Sequence, residues 1–271
     1  MKSKIPAVPY LIWMVLFTVI PLALVVVFAF TNQNGDFTTS NLYAADDYLL
    51  IFGRSLWLAF VSTVICLLIA YPFAYIISKP PFVNKGIFYM LAVLPMWMNF
   101  LLRTYSWMSL LEKNGLINKF FSFFGLGPFE MINTQGAVVL GMVYDYIPFM
   151  ILPLYSVMVK IEDDLINAAQ DLGANTANTF IKIIIPLTKQ GIQTGIIMVF
   201  IPAVSTFIIS RMLGGSKNML IGDLIEMQFL GNAYNPNLGS AIAVVLMVIV
   251  LLTMSITNVF EGGDEVGEMI K

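Results

Sequence analysis

The chain contains no histidine, and its single cysteine is Cys66. The lack of histidine excludes Ser-His-Asp and Cys-His catalytic sites, HExxH zinc sites and histidine-based pH switches. A lone cysteine excludes an internal disulfide and a CxxC redox or metal pair. Because Cys66 lies in an apolar run, we interpret it as a small buried hydrophobic residue. We therefore expect neither a metal site nor a catalytic centre in this chain.

Charged residues are also scarce. They make up 11% of the 271 residues, whereas soluble domains carry about 25%. The net charge of -2 gives no basic field that would attract nucleic acid. Hydrophobic residues reach 59%, and this excess must face a solvent other than water. A lipid bilayer is the simplest solvent that fits.

Six runs of mostly apolar residues have the length of about 20 residues that crosses a bilayer. They predict an all-α integral membrane protein with one transmembrane domain over residues 1–271. The approximate spans are 10–31, 54–78, 86–107, 135–159, 190–210 and 239–260. An even number of spans places both termini on the same side. With the termini inside, eight of the 14 Lys and Arg residues lie in inner segments, a bias too weak to decide the orientation alone.

The polar segment 160–189, between the fourth and fifth spans, predicts two helices joined by a turn. Residues 165–172 are predicted to form the first helix, and Gly173 can adopt the left-handed conformation that ends it. Asn175 can cap a second helix, which Pro186 is expected to end. Such a rigid element at the membrane surface can act as a lever for a soluble partner.

This segment resembles the EAA motif of ABC importer permeases, in which Glu-Ala-Ala, three residues, glycine, nine residues and Ile-x-Leu-Pro follow one another. Here Asn-Ala-Ala at 167–169, Gly173 and Ile-Ile-Ile-Pro at 183–186 keep that spacing. Asn167 replaces the motif's glutamate and Ile185 its leucine. The resemblance implies that the loop docks into a groove on an ATPase subunit and that both termini are cytoplasmic. The implied coupling residues are Asn167, Ala168, Ala169, Asp171, Gly173 and Pro186.

The chain has no phosphate-binding loop of its own. The Gly-Gly-Ser-Lys run at 214–217 lacks the residue order of a P-loop and does not join a strand to a helix. We therefore expect ATP and magnesium to be bound by the partner ATPase, with no cofactor held by this chain and no enzymatic activity in it.

A wider resemblance extends from about Arg54 to Leu230. Four segments, 103–107, 114–118, 148–155 and 214–222, are similar in content and order to the permease subunits of spermidine/putrescine ABC importers. The resemblance implies the type I ABC importer fold, found also in MetI, and a multi-pass protein of the cytoplasmic, or inner, membrane in contact with membrane lipid. It further implies a complex with a second homologous permease, an ABC ATPase homodimer and an extracytoplasmic polyamine-binding protein.

A path for polyamines needs carboxylates and aromatic faces, because the substrates are extended polycations. Asp145 is the outstanding candidate, since a charge near the centre of a span normally faces a cavity or a partner. It is flanked by Tyr144 and Tyr146. A structural pair with Arg103 or Arg211 is the alternative reading of Asp145. The remaining path candidates are Trp97, Tyr105, Trp107, Phe207, Asp223 and Glu226.

Three other functions stay open at this stage. The chain could be an ABC permease for another solute, such as an amino acid, another organic cation or an iron chelate. Arg211 supports this alternative, because a cation is awkward on a polycation path. An integral-membrane enzyme would act without any ATPase, and a passive channel would conduct without ATP.

Overall fold

The computed structural model describes residues 8–32, 34–79, 85–231 and 234–268, the last of them beyond Ser255 by the backbone alone. These residues are almost entirely helical, with one isolated antiparallel bridge between Thr31 and Phe37. The helices are α1 (Val8–Ala29), α2 (Ser40–Ala44), α3 (Leu49–Ser78), α4 (Lys85–Val93), α5 (Phe100–Leu111), α6 (Leu116–Phe123), α7 (Gln135–Met158), α8 (Asp163–Asp171), α9 (Thr176–Leu187), α10 (Lys189–Ser205), α11 (Ile221–Leu230) and α12 (Pro236–Glu268).

Among the described residues, four helical stretches are long and apolar enough to cross a membrane, and two bent helix pairs raise the number to six. The four are Val8–Ala29, Ser40–Ser78, Gln135–Met158 and Pro236–Ser255. The bent pairs are α4 with the α5–α6 region, and α9 with α10. The prediction of an all-α membrane protein with about six spans is confirmed.

The third predicted span, 86–107, is wrong as one continuous helix. The chain bends by 89° between Gly86–Trp97 and Phe100–Phe123. A 3₁₀ turn that contains Pro95 ends the first half. The second half begins with a side-chain cap, because Asn99 Oδ1 accepts hydrogen bonds from the backbone N–H of Leu101 (2.9 Å) and Leu102 (3.4 Å).

Three other span boundaries also differ from those predicted. The fifth span, predicted to end at 210, ends at Ser205, where the backbone of Gly222 packs against the carbonyl oxygen and leaves no room for a Cβ. Helix α3 of the second begins at Leu49 rather than at 54, and from within this helix Arg54 donates to the carbonyl of Lys217 (2.7 Å). The sixth begins at Pro236 rather than 239, since proline suits the first helical turn.

The centre of the fold is formed by α3, α7 and α10, which pack against one another. A set of small, buried residues on α3 lets the helices approach closely. Cys66 belongs to this set. Its members are Ala59, Ser62, Cys66, Ala70 and Ala74. On α10, a Cβ at Gly195 would lie 2.5 Å from Met150 Sδ, and one at Gly191 would lie 3.0 Å from the carbonyl oxygen of Pro153. The two glycines therefore serve close helix packing.

The first and last spans form a second contact, between α1 and α12. Asn237 Nδ2 donates to the carbonyl oxygens of Thr31 (2.7 Å) and Phe28 (3.1 Å), and Asn41 Nδ2 donates to those of Thr31 (2.8 Å) and Ala29 (3.2 Å). These amides supply hydrogen-bond donors to carbonyls at and just beyond the C-terminal end of α1. The exposed apolar side chains of α1 are left for the hydrocarbon of the bilayer.

Candidate functional site: the coupling loop and buried charges

The predicted helix–turn–helix of the segment 160–189 is present as α8 and α9. Asp163 and Asp164 occupy the first turn of α8, where negative charge is favourable. Gly173 has φ of +85°, the left-handed conformation expected of it. Asn175 Oδ1 accepts from the N–H of Asn178 (2.8 Å) and caps α9. Pro186 lies inside α9, which ends one residue later than expected, at Leu187.

The turn between α8 and α9 is the most exposed part of this segment. Leu172 is 90% exposed, and no atom lies within 4 Å of the position that a Cβ on Gly173 would take. Of the six implied coupling residues, Ala169 is buried, while Asn167, Ala168, Asp171, Gly173 and Pro186 are exposed. The turn between α8 and α9 thus presents exposed apolar and polar groups that a partner outside this chain can contact.

Three contacts fasten this surface to the end of α3. Lys79 Nζ pairs with Asp163 Oδ1 at 2.7 Å. The hydroxyls of Tyr71 and Thr188 are 2.8 Å apart in a buried site at the 64° bend between α9 and α10. The ring of Phe180 packs edge-on against Tyr71 and Tyr75, with centroid distances of 5.5 Å for both. The helix–turn–helix is therefore held directly against α3 and the start of α10.

We expect Phe180→Ala to loosen the coupling loop. Each aromatic pair contributes about 0.5–1.5 kcal/mol beyond its buried area, so the loss of two pairs costs on the order of 1–3 kcal/mol. Lys79→Ala should cost less, since an exposed ion pair is worth about 0–1 kcal/mol. Limited proteolysis of residues 160–189 in the purified protein measures the loosening. The control is Phe37→Ala, which removes an exposed phenylalanine that precedes α2, and it should leave cleavage unchanged.

A buried ion pair lies in the middle of the fold. Asp145 is 1% exposed, and its Oδ1 is 3.2 Å from Arg103 Nη1. Thr104 Oγ1 donates to Asp145 Oδ2 at 3.3 Å. The guanidinium also lies over the ring of Phe100, at 5.9 Å from its centroid. Of the two ion pairs that the sequence allowed for Asp145, the structure thus contains the one with Arg103. This pair joins α5 to the centre of α7.

The other candidate partner, Arg211, belongs to a separate cluster. It follows the fifth span and pairs with both oxygens of Glu226, while its Nε lies 3.8 Å from Asp223 Oδ1. The bond to Arg211 lowers the pKa of Glu226, whereas burial raises the pKa of Asp223. Asp223 also accepts from the N–H of Leu220 at the start of α11 (2.9 Å). One cation therefore meets two carboxylates, which leaves a net negative charge.

The predicted aromatic residues are not gathered into one wall. Tyr144 and Trp107 pack edge-on at 5.4 Å, and the hydroxyl of Tyr146 donates to the carbonyl of Pro202 at 3.3 Å. Trp97, Tyr105 and Phe207 are exposed.

Sequence reasoning did not single out Thr104, or Tyr71, Tyr75 and Phe180 at the loop. Thr104 directly follows Arg103, which is a charged residue within a predicted span. That position was the available sequence signal for Thr104. The contacts of Phe180 had no signal in the sequence, because they join residues more than 100 positions apart. Among the described residues, no group of His, Cys, Asp and Glu side chains could hold a metal ion.

Three comparisons with known proteins agree with this geometry. Residues 55–261 match the family model of the binding-protein-dependent transport system inner membrane component. The spermidine/putrescine transport system permease protein PotB of Haemophilus influenzae is 38% identical over 89% of this chain and 87% of its own. The PotB protein of Escherichia coli K12 is 34% identical over 89% and 91%.

The fold is also that of a solved permease. The crystal structure of a bacterial ABC transporter involved in import of the acidic polysaccharide alginate contains a chain that superimposes with a TM-score of 0.80. The match covers 93% of this chain and 92% of that one, at 15% identity, so it shows a shared importer-permease fold. The family match covers most of the sequence, and this chain belongs to the binding-protein-dependent transport system inner membrane components, the permeases of ABC importers.

Proposed function

We propose that this chain is a permease subunit of an ATP-driven importer for polyamines such as spermidine and putrescine. The observation that carries the substrate class is the similarity to spermidine/putrescine permeases over about nine-tenths of the chain. The transport class has independent support in the exposed helix–turn–helix with EAA spacing, which is fastened to two spans.

The partners follow from this role. ATP and magnesium are bound by an ATPase homodimer, whose groove receives the turn around Gly173. A second related permease completes the pathway, and an extracytoplasmic polyamine-binding protein delivers the solute. A second alginate transporter structure of similar fold is a complex with a periplasmic protein that carries the substrate. The chain itself then has no catalytic role, and both of its termini are cytoplasmic.

On the solute path, the Arg211 cluster is a better amine contact than Asp145. Glu226 is partly exposed, and the cluster keeps a net negative charge after pairing. Asp145 is sealed in its pair with Arg103, so an ammonium group would reach it only after a rearrangement of α5. The aromatic candidates that could line the same path are Trp97, Tyr105, Trp107, Tyr144, Tyr146 and Phe207.

The proposal is tested by uptake of labelled spermidine in cells that lack their own polyamine importers. The chain is expressed with its genomic neighbours, with and without depletion of ATP. We expect ATP-dependent uptake that putrescine competes for and amino acids do not. Uptake that persists without ATP would contradict the importer assignment and favour a channel.

A permease for another solute is the second candidate, and Arg211 is the observation that favours it. If a copurifying ATPase is present but labelled spermidine is not taken up, the ABC assignment stands and the substrate assignment fails. Competition by amino acids, other organic cations and iron chelates would then identify the solute class.

A further inference from the structure

The loop between α5 and α7 presents an apolar surface that no other described part of the chain covers. Six side chains form what we call the phenyl patch: Leu116, Phe120, Phe123, Phe124, Leu126 and Phe129. The first three recur at the spacing of one helix face. Phe123 is 85% exposed. Leaving such a large apolar side chain in water is unfavourable in free energy.

The phenyl patch is held in a fixed arrangement. Asn118 is almost fully buried, and its Nδ2 donates to the carbonyl oxygens of Glu112 (3.1 Å) and Phe129 (2.9 Å). Its Oδ1 accepts from the N–H of Phe129 (2.8 Å). The ring of Phe121 packs edge-on against that of Phe129 at 5.4 Å. The exposed rings therefore belong to an ordered structure that was built around a buried amide.

The phenyl patch cannot lie far from the bilayer. Five residue steps separate the end of α5 at Leu111 from the start of α6 at Leu116, which allows about 17 Å at full extension. The chain re-enters a span at Gln135. Since α7 has 24 residues and rises about 1.5 Å per residue, the patch and the coupling loop lie at opposite ends of a membrane-spanning helix.

The chemistry of the phenyl patch favours lipid over a protein partner. The exposed face of α6 carries phenylalanine, leucine and one cation, Lys119, and no carboxylate. A lysine beside an apolar face can extend its ammonium to the lipid headgroups while its stem stays apolar. Phenylalanine is enriched at protein interfaces too, but lysine is depleted there, and Lys119 lies on this face.

We propose that α6 is a monotopic membrane anchor, which lies in the leaflet opposite the coupling loop with the phenyl patch inserted at the boundary between headgroups and acyl chains. Because Asn118 joins α6 to the segments on both sides, the anchor fixes the outer ends of α5 and α7 to the plane of the bilayer. These are the two helices that the Arg103–Asp145 pair connects. The inference does not depend on the identity of the solute.

The test uses nitroxide labels at single cysteines, in the full-length chain and in the complex with its transport partners. Cys66→Ala removes the buried native thiol. Phe120→Cys and Phe123→Cys report on the phenyl patch, and Ser122→Cys, on another face of the same helix, is the matched control. The protein is reconstituted into vesicles of phosphatidylethanolamine and phosphatidylglycerol. Collision of each label with oxygen, which concentrates in lipid, is compared with collision with a water-soluble nickel chelate.

We expect labels at 120 and 123 to collide more often with oxygen than with nickel, and the order to reverse at 122. This result in both preparations supports the anchor. Frequent nickel collisions at 120 and 123 would mean a surface in water, and would overturn it. Protection from both reagents in the complex would mean that a protein partner covers the patch, and would overturn it equally. None of these outcomes bears on whether spermidine is transported.

Discussion

Replacing Arg103 by leucine is expected to lower the thermal stability of this permease strongly, because it leaves the carboxylate of Asp145 in a buried site without its cation. Asp145 is 1% exposed, and among the described side chains the hydroxyl of Thr104 is the hydrogen-bond donor to its carboxylate. Removing one partner of a buried ion pair costs about 3–5 kcal/mol. Asp145→Leu should act similarly, because it leaves the guanidinium unpaired.

The double variant Arg103→Leu with Asp145→Leu should recover most of the lost stability. Apolar residues of similar volume often replace a buried ion pair at little cost. Apparent melting temperatures of the four proteins, measured in one detergent, give the coupling between the two residues. Losses that simply add in the double variant would show that the pair does not act as a unit.

The same double variant separates a structural role of Asp145 from a role on the solute path. If the carboxylate serves only to hold α5 against α7, uptake should return together with stability. If an ammonium group of the solute contacts Asp145, the stable double variant should remain inactive. Asp145→Asn should then also lower uptake while the complex still assembles.

Replacing Gly173 by proline is expected to abolish both ATP-driven uptake and copurification of the ATPase. The residue has φ of +85°, whereas proline is fixed near −65°, so the turn between α8 and α9 cannot form. No atom lies within 4 Å of a Cβ at this position, so a Cβ meets no steric clash. Proline also removes the N–H of Gly173, which donates to the carbonyl of Gln170 (2.9 Å). Gly173→Asn should retain most function, since asparagine tolerates the left-handed region.

Gly35 offers a matched control for this substitution. It also has a positive φ, of +87°, with no atom within 4 Å of a Cβ, and it precedes α3 at the end away from the coupling loop. Gly35→Pro should leave the copurification of the ATPase unchanged. Normal ATPase assembly in the Gly173→Pro variant would mean that the turn is not the docking element.

Local signals in the sequence predicted the helix–turn–helix of residues 160–189 well. The acidic start of α8, the glycine at the turn and the asparagine cap of α9 are each set by residues within a few positions of one another. The break in the third span carried a local signal too, since Asn99 is a helix cap placed after Pro95. The apolar composition of 86–107 concealed it, because hydropathy reports the solvent around a segment and not its continuity.

The charged residues could not be assigned in the same way. The sequence allowed Asp145 to pair with Arg103 or with Arg211, and nothing in their spacing distinguishes the two. The bend before α5 brings Arg103 to Asp145, whereas Arg211 lies beyond the end of α10 and meets Glu226 on α11. Which arginine pairs with Asp145 thus depends on where α5 begins and where α10 ends. Those helix ends are determined by residues far apart in the chain.

The sequence by itself determined an all-α membrane protein with a helix–turn–helix between two spans, because the solvent of each segment and the geometry of each turn follow from residues close together in the chain. The importer permease was indicated by the resemblance of that segment to the EAA motif, and not by composition or turn geometry. Only the tertiary structure decided which charges neutralise one another, how α8 and α9 are fastened to α3, and which rings remain uncovered on α6. Those features depend on contacts between residues as many as 117 positions apart, as for Tyr71 and Thr188. Contacts at such separations exist only when helices pack, and no local pattern encodes them.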